Sequence, residues 1–135
     1  MNVLVDTSVW SLALRRAKAL PSPIVRELAE LVSEARVEIV GPVRQELLSG
    51  VTTSSQFDDL REHLRAFPDL ELETADFEEA AQMYNRCRSK GIQGSNTDFL
   101  MCAVAVRRNL AIFTIDGDFA EFRRAVPIAL HSPRS

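Results

Sequence analysis

Two short runs constrain this 135-residue chain more than any other feature: VLV at Val3–Val5 and AIFT over residues 111–114. Neither alternates polar with apolar side chains. A strand that is apolar at every position is one buried on both faces, which is the situation in a parallel sheet covered by helices. Each run then stops on a carboxylate, Asp6 in the first case and Asp116 with Asp118 in the second. Thr7 and Ser8 supply helix-capping hydroxyls, and apolar residues resume at helical spacing from Trp10 to Leu14. Asp6 is thereby placed at the carboxyl end of a buried strand, the edge where open α/β sheets bind their ligands. The competing reading, at both sites, is an aspartate that starts a turn.

Between these runs the pattern alternates. A break with two prolines at residues 19–23 precedes a helix capped by Ser22, with Pro23 at its first position and Ile24, Leu28, Leu31, Val32 and Ala35 on one stripe to about Arg36. Residues 37–40 read as a short strand, ended by Gly41 and Pro42, which open a third helix. Its stripe is Val43, Leu47 and Gly50, and Glu46 lies on the border near the core side. A polar break at residues 52–56 precedes a fourth helix on Phe57, Leu60, Leu64 and Phe67, ending at Pro68. Residues 70–72 suggest another strand. Thr74 is the expected N-cap of a fifth helix with Phe77, Ala80, Ala81, Tyr84 and Cys87 as its apolar face and Gly91 as its stop. Arg86, Arg88 and Lys90 complement the dipole of its last turn.

After a polar turn at residues 94–97 comes Asp98 and then eight apolar residues, 99–106, which require a helix buried nearly all round. Ser95 and Asp98 also fit a capping box, so capping is the structural alternative for Asp98, as a surface helix position is for Glu46. A last strand is expected at residues 127–130, with a frayed tail from His131. Five strands joined by helix-containing crossovers make an α/β fold with a mostly parallel sheet and helices on both faces, within one domain spanning residues 1–135.

Composition narrows the function classes. No run approaches the roughly 18 apolar residues of a membrane span, and no basic region precedes an apolar signal core, so a cytoplasmic protein is expected. Cys87 and Cys102 lack CxxC spacing and lie far in sequence from His63 and His131, which disfavours a zinc site or disulfide and predicts reduced core thiols. The net charge of -3 argues against a polyanionic partner at first sight. Setting aside the five acids Asp6, Glu46, Asp98, Asp116 and Asp118 leaves 14 acidic against 16 basic residues, a remainder of +2. A bound divalent cation would offset part of the charge of those five.

Carboxylates gathered without a cation repel one another and take up protons or separate. Mg2+ resolves that conflict: it prefers oxygen, keeps several waters and is held by one or two carboxylates together with substrate phosphates; Mn2+ suits the same ligands. Such an ion polarises a phosphoryl oxygen and activates water for in-line attack on phosphorus. Neither histidine stands in a Ser-His-Asp or Cys-His arrangement.

VLVDTSVW with Asp6, QELLSG with Glu46, NTDFLMCAVA with Asp98 and FTIDGDF with Asp116 and Asp118 together resemble the PIN-domain family, and within it the VapC ribonuclease toxins of toxin-antitoxin pairs. The four pieces run the length of the chain in the family's order. The resemblance implies an α/β/α sandwich, a Mg2+- or Mn2+-dependent endoribonuclease acting on RNA, inhibition by a cognate antitoxin, a homodimer, and contact with operator DNA only through the antitoxin complex. It implies Asp6 and Asp98 as principal metal ligands, Asp116 completing the site, Glu46 orienting or deprotonating the attacking water, and Asp118 holding a second metal or tying down its loop. Thr7, Ser8 and Thr114 are then hydroxyls that fix the carboxylates. Pro42, Val43 and Arg44 depart from the hydroxyl-bearing residue many relatives carry before Glu46.

Trp10, Leu12, Leu14, Leu20, Leu48 and Val51 either fill the core or line a groove for an amphipathic antitoxin helix. Arg15, Arg16, Lys18, Arg107 and Arg108 are the expected phosphate contacts. The rivals are a non-catalytic RNA- or protein-binding module on the same fold and an aspartyl-phosphate protein. The first usually lacks a carboxylate that is present here. The dehalogenase-type phosphatase needs an Asp where Ser8 stands, and a receiver needs a late Lys, whereas the last is Lys90.

Overall fold

The computed structural model describes residues 1–15 and 22–134. Leu20, Arg16 and Lys18 lie outside the described residues, and so does the side chain of Arg15. The sheet is built as the apolar runs require. β1 (Val3–Val5) is central and fully buried, with β2 (Val37–Glu38) on one side and β3 (Ala111–Phe113) on the other. β4 (Ala129–Leu130) forms the edge beyond β3, giving the order β2-β1-β3-β4 with every pairing parallel. Val3 is opposite Val37 and Ala111, and Val5 opposite Phe113, so Asp6 and Thr114 leave the sheet at the same level.

The sheet has four strands rather than five. Residues 70–72 do not extend it; the chain touches the edge once, through a bridge between Ile39 and Asp69 in which Leu70 N donates to Ile39 O at 2.9 Å. Pro68 and the exposed Asp69 and Glu71 leave too little apolar surface there for a longer pairing.

Around the sheet stand α1 (Thr7–Arg15), α2 (Pro23–Ser33), α3 (Gly41–Leu48), α4 (Ser54–Leu64), α5 (Thr74–Ser89), α6 (Asn96–Arg108) and the short α7 (Asp118–Phe122). α6 packs against α5 and the sheet and is the most deeply buried helix, with Phe99 through Ala105 all buried. It ends on Asn109 in the left-handed conformation, φ 55°, a position that asparagine tolerates better than most residues.

α5 corrects the sequence reading. Its N-cap is Glu73 rather than Thr74, closed by a reciprocal box with Asp76. Its buried stripe is Asp76, Ala80, Met83 and Cys87, rotated by one position from the expected face, so Phe77 stands 53% exposed. A buried ion pair causes this: Arg108 at the end of α6 grips Asp76 with both terminal nitrogens, at 2.7 and 2.8 Å. Arg107 approaches the same carboxylate at 3.5 Å. Arg107 and Arg108, two of the four arginines expected to meet RNA, are therefore tied into the packing of α5 on α6.

The tail is not frayed through Arg134. His131 Nε2 lies 2.6 Å from Glu27 Oε2, and Arg134 bonds both Glu27, midway along α2, and Glu34, its C-cap, at 2.8–3.3 Å. The segment after β4 thus fastens back onto α2. Trp10 is core, 2% exposed and edge-on to Phe67, which has left α4 after Leu64 to reach it.

Candidate active site

The carboxyl ends of β1 and β3 deliver Asp6 and Thr114 side by side, because the strands pair in register up to Val5 and Phe113. Asp6 is 6% exposed and is held through Oδ2. Ser8 Oγ donates to that oxygen at 2.7 Å and Thr114 Oγ1 at 2.8 Å. Ser8 Oγ also accepts from Ile115 N at 3.1 Å, and Thr114 Oγ1 accepts from Asp116 N at 3.0 Å. The two hydroxyls thereby lock the turn after β3 onto the turn after β1. Among the described residues Asp6 Oδ1 takes no hydrogen bond, which leaves it available to a ligand.

Asp98, the third residue of α6, is fixed by the expected capping box: Ser95 Oγ accepts from Asp98 N at 3.1 Å, and Asp98 Oδ2 accepts from Ser95 N at 3.2 Å. Capping and a cleft position coexist here. Burial raises the pKa of Asp98, the two bonds with Ser95 work against that rise, and the negative charges of Asp6 and Asp116 reinforce it. Three of the acids far apart in sequence therefore share one electrostatic neighbourhood. Beneath them the thiol of Cys102 is pushed well above its usual range, first by burial and then by the negative charges of Asp98 and Asp6, so it stays protonated.

Glu46 is exposed on α3, on the solvent side of the stripe border rather than the core side. Thr7 Oγ1 donates to its Oε2 at 3.1 Å, which supplies the support that Pro42, Val43 and Arg44 do not. The two residues line a hollow of about 500 Å³ with Pro42, Gln45, Ser49 and Thr97. Arg44 turns away, donating to Asp69 at 2.9 Å and to the carbonyls of Leu64 and Phe67. Asp116 and Asp118 are exposed, and Asp118 N donates to Asp116 Oδ1 at 2.9 Å as α7 begins. The bond ties the loop and leaves the Asp118 carboxylate at its rim.

Among the described residues no three His, Cys, Asp or Glu side chains already stand close enough to enclose an ion. The donor set is nonetheless all oxygen, two of its carboxylates carry an unbonded Oδ1, and Asp98 is destabilised by its acidic neighbours. These features fit a hard cation that keeps much of its water shell and takes one or two carboxylates, and they do not fit a closed structural site.

A shallow recess of about 730 Å³ opens beside Glu46, lined by Leu14, Leu47, Val51 and Leu60 with polar Ser11, Gln56, Asp59 and His63. Leu14 and Val51 belong to the expected groove; Trp10 does not, being core. Sequence patterning did not reveal α7, whose Phe119 and Phe122 are buried, Phe122 against Phe99 of α6, nor the outward turn of Phe77.

The PIN domain family matches residues 3–125 of the chain. A VapC ribonuclease of Mycobacterium bovis and ribonuclease VapC11 of Mycobacterium tuberculosis are each 32% identical over 121 residues, covering 87% of this chain and 88% of the relative. FitAcB from Neisseria gonorrhoeae shares the fold with a TM-score of 0.76 at 22% identity, over 97% of both chains. VapBC2 from Rickettsia felis, bound to a DNA fragment from its promoter, does so with a TM-score of 0.78 at 19% identity, over 97% of this chain and 98% of that one. With one parallel sheet between helices, the acids at its carboxyl edge, and these relatives along nearly its whole length, the chain belongs to the PIN-domain family.

Proposed function

We propose that the protein is the toxin of a toxin-antitoxin pair and acts as a Mg2+- or Mn2+-dependent endoribonuclease. The observation that carries this reading is the convergence of Asp6, Asp98 and Asp116 in one electrostatic neighbourhood, with Glu46 held nearby by Thr7. Asp6 and Asp98 are the residues that would hold the ion, with Asp116 joining directly or through water. When bound, the ion polarises a phosphoryl oxygen and lowers the pKa of water. Ser8 and Thr114 keep Asp6 Oδ2 occupied, so that Oδ1 is directed to the ligand. Glu46, exposed and hydrogen-bonded through one oxygen only, orients the attacking water and accepts its proton. Asp118, exposed beside Asp116, either holds a second ion or acts only on the loop that its N–H ties to Asp116 Oδ1.

The relatives ribonuclease VapC11 and the VapBC and FitAcB complexes support an antitoxin as partner, and promoter DNA as a contact of the complex. The recess beside Glu46 suits an amphipathic antitoxin helix, and an antitoxin arginine reaching the acids would replace the cation's charge. Among the described residues no helix is long and apolar enough to cross a membrane. We place the protein in the cytoplasm, where its RNA substrate is made.

The test is cleavage of total cellular RNA by purified, antitoxin-free protein in Mg2+, Mn2+ or EDTA, with Asp98→Asn alongside. Discrete fragments that require metal and vanish in the variant are expected. Folded wild-type protein that cuts no RNA from its own host under any of these conditions would shift the reading to a binding module.

A further inference from the structure

The last turns of α5 and the end of α7 meet beside the acid cleft, and both are basic. Residues 84–97, which lead from α5 to the start of α6, contain Arg86, Arg88 and Lys90 and no Asp or Glu. α7 begins at Asp118, on the rim of the cleft, and is followed at once by Arg123 and Arg124. At 1.5 Å of rise per residue, these arginines stand only roughly 8 Å along the chain axis from Asp118.

Two contacts hold the segments together. Lys90 Nζ donates to the carbonyl of Arg124 at 3.4 Å. Phe122 lies against Gly94, where an added Cβ would come within 2.5 Å of its ring, and 4.8 Å from the ring of Phe99, which follows Asp98 at the start of α6. The end of α7 is thus anchored at the helix end that carries a cleft acid. Lys90, Arg123 and Arg124 are all exposed. Lys90 and Arg123 form no ion pair among the described residues. Arg124 has only Glu121, at 2.8 Å, in a pair whose sides are 65% and 57% exposed. Arg86 stands one turn before Lys90 on the same stripe of α5, is exposed, and is likewise without an ion pair among the described residues. Arg107 and Arg108 offer no such freedom: they sit roughly 15 Å along α6 from Asp98 and are held by Asp76.

A strand that enters an acidic cleft brings a negative charge with every nucleotide, and an ion held there offsets only the charge nearest to it. The neighbouring phosphates need cations outside the cleft, and phosphate contacts of that kind fix the register of a strand without reading its sequence. We propose that Lys90, Arg123 and Arg124 hold the backbone phosphates of the RNA strand on one side of the scissile bond, with Arg86 extending the track along α5. The proposal rests on the ribonuclease reading of the acid cleft and names the surface that would lay the substrate across it.

The test measures binding of a labelled single-stranded oligouridylate by fluorescence anisotropy, in EDTA and over a range of KCl concentrations. It compares wild type with Lys90→Gln, Arg123→Gln and their combination, all checked for unchanged thermal unfolding. Each lost phosphate contact should lower the slope of log affinity against log salt by about 0.7, and the double variant by about 1.4. Arg123→Lys should keep the wild-type slope, because the contact reads charge. Arg65→Gln, which removes an exposed charge at the end of α4, should keep it too. In Mg2+, the double variant should raise KM about tenfold while kcat holds, the mark of binding lost equally from ground and transition states. An unchanged slope in the double variant, while wild type binds and cuts RNA, would overturn the proposal and leave the ribonuclease intact. So would an equal fall in Arg65→Gln, which would reduce the effect to net charge. Were wild type to bind the oligouridylate and cut no RNA, the ribonuclease reading would fail, and the slopes would still decide the track. Binding of a polyglutamate peptide that the double variant loses, with the RNA slope unchanged, would overturn it and assign the patch to an acidic protein segment.

Discussion

At the scale of single residues, the site is a set of carboxylates whose positions work against their own charge. Asp98 shows the conflict. Its carboxyl titrates above the usual range because burial, Asp6 and Asp116 all favour the neutral form. An acid whose pKa is higher folded than unfolded binds more protons in the native state, so stability falls as pH rises from the unfolded value through the folded one and stays lower above it. In metal-free protein at neutral pH, Asp98→Asn should therefore raise stability by roughly 0.5–2 kcal/mol, since the amide oxygen still accepts from Ser95 N while the repulsion disappears. Chemical denaturation in EDTA checks this, and the same variant should be inactive on RNA; a destabilised Asp98→Asn would mean that capping outweighs repulsion. The hydroxyls invite a second measurement. Thr114→Val removes one of the bonds to Asp6 Oδ2 and the acceptor for Asp116 N, and should lower metal affinity or activity about 10–100-fold. A Mg2+ titration of cleavage shows whether the loss lies in metal affinity.

The elements were read from sequence with uneven success, and the failures share a cause. Strands β1 and β3, the buried α6 and the Ser95–Asp98 box were all visible, because each is dictated by residues adjacent in the chain. Ser8 and Thr114 as partners of a carboxylate were legible only through the family resemblance, and both bond Asp6 Oδ2. What sequence concealed depends on contacts between distant segments. Glu73 and Asp76 carry no usual capping signature, and the rotation of α5 is set by Arg108, 32 positions away. Gly94 belongs to the same category: a Cβ there would stand 2.5 Å from Phe122 Cζ and 3.0 Å from Phe99, so a residue that reads as a turn is also a spacer for α7 against α6. The α5–α6 clamp is testable. Arg108→Met strands Asp76, fully buried, without its main partner and should cost about 3–5 kcal/mol. Adding Asp76→Leu should recover much of that loss, because no buried charge then remains. Denaturant titrations of the single and double variants measure both. A merely RNA-contacting Arg108 would instead leave stability unchanged.

The whole molecule is closed by its last described residues, and here the sign of a pH effect separates two accounts of the tail. Glu27 on α2 is 2% exposed, and burial pushes its pKa upward; the hydrogen bonds from Arg134 and His131 outweigh that and hold it at about 2, against an ordinary value of 4.5. A depressed acid contributes its stability in full above the unfolded pKa and loses it as pH falls toward the folded one. The intact chain should thus lose stability between about pH 4.5 and about pH 2 through this group. Removing residues 131–135 takes away the bonding partners and, with them, part of what covers the carboxylate. The Glu27 pKa then returns toward its unfolded value, and the stability that this group contributes above that value shrinks. The shortened chain should be less stable than the intact one at neutral pH, and the gap should narrow on acidification. Thermal unfolding of both chains between pH 7 and pH 3 reads the gap directly, and Glu27→Gln in the intact chain should flatten the dependence. A tail lying loosely on the surface would give parallel curves. The clasp fastens β4, the edge strand, through His131 to Glu27 in the middle of α2, so the sheet edge next to β3 is held by side-chain bonds where β4 contributes only Ala129 and Leu130 to the pairing. The carboxyl end of β3 carries Thr114 and thereby one of the two bonds that aim Asp6, which makes the tail a support for the site as well as for the fold.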